Sequence, residues 1–104
     1  MAFYKIAALM DVFDGCKISA RAGQTRVVLV QNEGRVQIFE DRCPHMDAPL
    51  STGKIEDGHI ICRSHGIPFC LTSGKAQGPL ANTLACLKFY DAVYEGNSIG
   101  IELP

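Results

Sequence analysis

Two short strings stand apart in this chain, Cys43-Pro44-His45 and Cys62-Arg63-Ser64-His65. Each joins one thiol to one imidazole, and sixteen residues separate His45 from Cys62, which gives the pattern C-x-H-x16-C-x-x-H. Thiolate and imidazole suit zinc and iron–sulfur centres, whereas calcium and magnesium prefer oxygen. Cys43, His45, Cys62 and His65 are therefore the candidate ligands of a metal site. Zinc sites of the Cys2His2 type usually pair like with like, as C-x2–4-C and H-x3–5-H. The mixed pairs here depart from that habit without excluding zinc. A binuclear cluster explains the mixing better. If the two cysteines hold one iron and the two histidines the other, each string must give one ligand to each metal.

These strings lie in a segment of distinct character. From Asp41 to Gln77 the character changes, with prolines and glycines interrupting the chain every few residues, at Pro44, Pro49, Gly53, Gly58, Gly66, Pro68, Gly74 and Gly78. Only His59–Cys62 and Phe69–Thr72 read as strands there. Such a segment offers few apolar side chains for a core of its own, and metal binding would supply the missing organisation. Lys54, Glu56 and Asp57 read as a solvated turn, and His59 as a solvent-facing or edge-strand residue.

The flanks read as β-structure. Phe3–Leu9 is apolar and fits helix or strand, while Cys16–Ala20 alternates as a strand does. Thr25–Gln31 carries Val27, Val28, Leu29 and Val30, a β-branched run typical of a buried strand. Asn32-Glu33-Gly34 is a turn signal before Arg35–Glu40, so the two segments form a β-hairpin. Leu84–Glu95 reads as one long strand, Gly96-Asn97 as a turn, and Ser98–Leu103 as the closing strand. The expected fold class is all-β: an antiparallel sandwich or barrel in a single domain, with a base of residues 1–40 and 80–104. Residues 41–79 form an inserted subdomain carrying two metal loops.

Composition narrows the function. At 104 residues the chain has the size of one domain. Ten basic and eleven acidic residues leave a formal charge of −1, so the basic stripe of a nucleic-acid binder is missing. No stretch approaches the roughly 18 continuous apolar residues of a membrane helix, and the N-terminus lacks the three-part pattern of a secretory signal. The expectation is a soluble, cytoplasmic protein with neither nucleic-acid nor membrane partners. Five cysteines fit a disulfide framework poorly. Cys16, Cys70 and Cys86 read as small buried thiols within strands.

The stretch CPHMDAPLSTGKIEDGHIICRSHGIPF resembles the cluster-binding motif of Rieske [2Fe–2S] proteins. Beyond the four ligands it shares the APLS-x-G run and the HG after the second pair. The downstream T-S-G turn and Gly78-Pro79 also match. The resemblance covers about Cys43 to Pro79 in detail. It implies one [2Fe–2S] cluster held by Cys43, His45, Cys62 and His65, with the imidazole edges as the electron's exit. Two neutral imidazoles replacing two thiolates make the cluster less negative and easier to reduce, hence Rieske potentials of roughly −150 to +300 mV.

Departures from the respiratory members of that family are informative. Their second loop cysteines, joined by a disulfide, correspond here to Ala48 and Ser64. Their sulfur-bonding serine and tyrosine correspond to Ile67 and Phe69, which cannot donate a hydrogen bond. Fewer such bonds leave the reduced cluster less stabilised, which implies a potential near the bottom of the range. Arg63 stands where proline is frequent and Cys70 where aspartate is common. Leu50 and Phe69 read as packing near the cluster, and Pro68 as a stiffener that shields the sulfurs.

This pattern resembles the small Rieske ferredoxins of aromatic-ring-hydroxylating dioxygenase systems. The function so implied is one-electron transfer from a flavin-dependent ferredoxin reductase to a terminal oxygenase with non-haem iron. The chain would be a carrier and no enzyme itself, since nothing remains to bind a substrate or activate oxygen. A rival is the Rieske-like small subunit of an assimilatory nitrite reductase. Another, from a different class, is a structural zinc module, which would be colourless.

Overall fold

A computed structural model describes residues 2–44, 48–63, 66–78 and 84–104. Ten strands arise in order: β1 (Ala2–Ala8), β2 (Lys17–Ala22), β3 (Thr25–Asn32), β4 (Arg35–Glu40), β5 (Lys54–Glu56), β6 (His59–Ile61), β7 (Pro68–Cys70), β8 (Phe89–Tyr90), β9 (Val93–Glu95) and β10 (Ser98–Leu103). They form three antiparallel sheets, ordered β1-β10-β9, β2-β3-β4-β8 and β5-β6-β7. Single 3-10 turns follow β1 at Leu9–Asp11 and precede β5 at Leu50–Thr52. The fold is all-β, as the sequence indicated.

The β3–β4 hairpin determines the layering. Its two-residue turn, Glu33-Gly34, has positive φ at both positions, 53° and 77°. That geometry matches the right-handed twist of the flanking strands. Val27 to Val30 are all 0% exposed, so β3 is buried on both faces and need not alternate. Val28, Val30 and Phe39 face one core, and Val27, Leu29 and Ile38 face another. The second core is completed by Ile6, Ala7, Ile99 and Ile101 from β1 and β10. The first is completed by Cys43, Leu50, Ile60, Cys62, Phe69, Leu71, Ala76 and Leu87. The four-stranded sheet is thus the middle layer, with the segment of the candidate ligands on its far face.

This arrangement agrees with the expectation that the segment has too few apolar side chains for a core of its own. The buried apolar side chains of that segment share a core with the hairpin's Val28, Val30 and Phe39. Burying a large apolar side chain is worth about 1.5–3 kcal/mol, enough for this small set to dock the segment.

Three expectations change. Residues 54–56 form β5, pairing Lys54 with Ile61 and Glu56 with His59. The turn is confined to Asp57-Gly58, again with positive φ at both, 51° and 74°. The Lys54 and Glu56 side chains are exposed, which made a strand read as a loop. The expected long strand Leu84–Glu95 is divided: β8 pairs with β4 and β9 with β10, so the chain changes sheets at Asp91-Ala92. Phe3–Leu9, ambiguous in sequence, is strand β1 over Ala2–Ala8, because β10 pairs along it. Gly100 lies opposite Lys5 and so close to the Tyr4 carbonyl that a Cβ there would overlap it.

Candidate metal centre

Cys43 and Cys62 lie in the same buried core and are both 0% exposed. Each opens a loop with the same closure. The Cys43 N–H donates to the Ala48 carbonyl at 2.8 Å, and the Cys62 N–H donates to the Ile67 carbonyl at 2.9 Å. Both bonds span five residues, although the ligand spacings differ, C-x-H in one loop and C-x-x-H in the other. In the second loop the Gly66 N–H also donates to the Cys62 carbonyl at 2.8 Å. Gly66 has φ 66°, in the left-handed region where glycine carries no Cβ penalty. His45 and His65 lie outside the described residues, as does Ser64. Among the described residues no group of three or more His, Cys, Asp or Glu could hold a metal ion.

The surroundings of the two sulfurs are apolar. Leu50 and Phe69 are both 0% exposed and share the core with Cys43 and Cys62. Ala48 and Ile67 are half-buried and pack against that core. Ala48, Ile67 and Phe69 contribute only hydrocarbon side chains to this core. Pro68 is the first residue of β7, and its carbonyl accepts the Gln77 N–H at 2.9 Å.

The sequence did not reveal Asp41. Its side chain is 5% exposed, and its Oδ1 accepts the Ser51 N–H at 2.7 Å. The signal in the sequence was an acid two residues before the candidate ligand Cys43 and ten before Ser51. Lys17 was also missed: its Nζ donates to the Gly53 carbonyl, joining β2 to the end of the first loop.

The other cysteines and His59 separate from the centre. Cys16 is buried at 4% exposure just before β2, as expected of a core thiol. Cys86 is exposed and belongs to no strand, contrary to the expectation, and lines a surface cleft with Pro44, Arg42 and Lys88. Cys70 is half-buried at the end of β7. Hydrogen bonds from the Ser73 side chain, and then from the Ser73 and Thr72 backbone, lower its thiol from 9.0 to about 7. Its sulfur takes the acceptor role that a carboxylate would play in this turn. His59 is half-buried on the central strand of its sheet, so the edge-strand reading fails. Its Nδ1 lies 2.8 Å from the Asp57 carbonyl, to which it donates.

The model of the Rieske [2Fe-2S] domain matches residues 2–88 of the chain. The chain belongs to the Rieske [2Fe–2S] family. It carries the cluster that defines that family, and the donor chemistry fits: two buried thiols at matched loop openings, each followed by a histidine. The chain is 32% identical over 98 residues to the ferredoxin component of the alkene monooxygenase system of Xanthobacter autotrophicus, covering 93% of this chain and 78% of that protein. It is 29% identical over 105 residues to the biphenyl 2,3-dioxygenase ferredoxin component of Rhodococcus jostii, covering 99% and 94%. Among solved structures, the Sphingomonas yanoikuyae B1 ferredoxin superposes with a TM-score of 0.83 at 21% identity, covering 99% and 100%. Some relatives are oxygenase subunits far longer than this Rieske chain, which spans 21% of one and 10% of another.

Proposed function

We propose that the protein is the ferredoxin of an oxygenase system, a one-electron carrier with no substrate of its own. It would accept electrons from a flavin-dependent reductase and deliver them to a terminal oxygenase. The observation that carries this reading is the near full-length match to ferredoxin components of two oxygenase systems. Cys43 and Cys62 would hold one iron, and His45 and His65 the other. The bound cluster supplies a one-electron couple. The chain's own contribution is to bury the two sulfurs behind Leu50 and Phe69, excluding water from the thiolate side. The division into a base of residues 1–40 and 80–104 and a cluster-binding subdomain of 41–79 belongs to the same proposal. No helix among the described residues is long and apolar enough to cross a membrane, and a cytoplasmic location is part of this reading.

Reconstitution tests it. The cluster-loaded protein is mixed with a flavin-dependent ferredoxin reductase, reduced nicotinamide and a terminal oxygenase. Substrate turnover that requires this protein is the expected result. A colourless protein with one zinc per chain would overturn the reading. Stable association with a sirohaem protein, without turnover of any oxygenase, would favour the nitrite reductase subunit instead.

A further inference from the structure

Asp41 is the charged side chain that is buried among the described residues, at 5% exposure. Burying a carboxylate is costly unless hydrogen bonds compensate, so its partners indicate what it is for. The Asp41 main-chain N–H donates to the Arg26 carbonyl on β3 at 2.8 Å. Its Oδ1 accepts the Ser51 N–H at 2.7 Å, across ten residues. Ser51 lies in the 3-10 turn Leu50–Thr52, whose first N–H groups have no partner within so short a helix. One residue thus fastens both ends of the first ligand loop to the middle sheet. Between these ends lies the Cys43–Ala48 closure.

We propose that Asp41 is the positioning residue of the first ligand loop, its carboxylate setting where the Cys43 thiolate stands relative to the cluster. The role rests on the cluster assignment made above. Asp41 acts through the loop, by way of the Ser51 N–H.

The test compares two variants of the cluster-loaded protein. Asp41→Asn keeps an oxygen to accept the Ser51 N–H, and Asp41→Ala keeps none. Two quantities are read: the rate at which an iron chelator bleaches the visible absorbance, and the visible circular dichroism of the cluster. Asp41→Ala is expected to bleach about tenfold faster, the size of leaving one donor, the Ser51 N–H, without its acceptor, with an altered dichroic spectrum. Asp41→Asn is expected to stay within about twofold of the parent, with the parent spectrum. The proposal is overturned if Asp41→Ala behaves as the parent does, or if Asp41→Asn is as labile as Asp41→Ala. Should Asp41→Ala fail to load a cluster, Asp41→Asn decides alone: parent-like loading supports the proposal and failure overturns it. A parent protein without a cluster spectrum would overturn the cluster assignment itself, and the role of Asp41 with it.

Discussion

Gly53 lies so near the carbonyl oxygen of Ile61 that a Cβ on Gly53 would overlap it. Its φ is −80°, ordinary for any residue, so close approach rather than backbone freedom requires glycine. Gly53 ends the first ligand loop, and Ile61 immediately precedes Cys62, so this contact sets the two loops against each other. Gly53→Ala should cost about 1–3 kcal/mol, the usual penalty for overfilling a packed site. A fall of several degrees in Tm, with less iron per chain, is the expected outcome by calorimetry and metal analysis. An unchanged Tm would show that β6 yields without cost.

The ligand assignment predicts a selective loss. His45→Ala or His65→Ala should abolish the Rieske-type visible and paramagnetic spectra. Far-ultraviolet dichroism should persist, because the core of Val27, Leu29, Ile38, Ile99 and Ile101 lies on the other face of the middle sheet. A variant retaining the parent spectrum would strike that histidine from the ligand set.

The apolar surroundings of the sulfurs predict a low reduction potential. Ile67 and Phe69 offer no hydroxyl, and Ala48 offers no disulfide partner. Ile67→Ser and Phe69→Tyr should each favour the reduced state, because a hydrogen bond to sulfur stabilises the more negative cluster. The expected size is about 1–2 kcal/mol, roughly a tenfold change, or 59 mV for one electron. A redox titration followed by paramagnetic resonance measures it, and no upward shift in either variant would refute the argument.

Cys70 predicts a pH effect away from the cluster. Its thiol is lowered to about 7 in the folded protein, chiefly by the Ser73 side chain. A depressed folded value means the thiolate's stabilising effect is complete above the unfolded value of about 9. It is lost as pH falls through about 7. Exposure to solvent screens the interaction, so the measurable signature is reactivity rather than stability. Alkylation of Cys70 by iodoacetamide, mapped by mass spectrometry, should rise with a midpoint near 7. Ser73→Ala should move that midpoint upward, and an unmoved midpoint would show that the Ser73 hydroxyl is not the cause.

Much of the centre is legible along the chain. The four candidate ligands stand out because cluster chemistry demands particular donor types at short spacing, and those are local properties. The β3–β4 hairpin is legible for a similar reason, since Glu33-Gly34 and the valine-rich run are local signals. β5 was lost because Lys54 and Glu56 face solvent and a three-residue strand offers too few positions to show an alternating pattern. The break within 84–95 was equally invisible, since strand propensity is the same whether a residue pairs with β4 or β10.

By itself, then, the sequence supplied the candidate donor set, the missing hydroxyls at positions 67 and 69, and the all-β class. Only the tertiary structure decided that β3 is buried on both faces and that Cys43 and Cys62 share a core with it. The same holds for Asp41 reaching Ser51 and Gly53 meeting Ile61. Donor chemistry is carried by each side chain wherever it lies. Burial and close approach are relations between distant residues, and they exist only once the chain has folded.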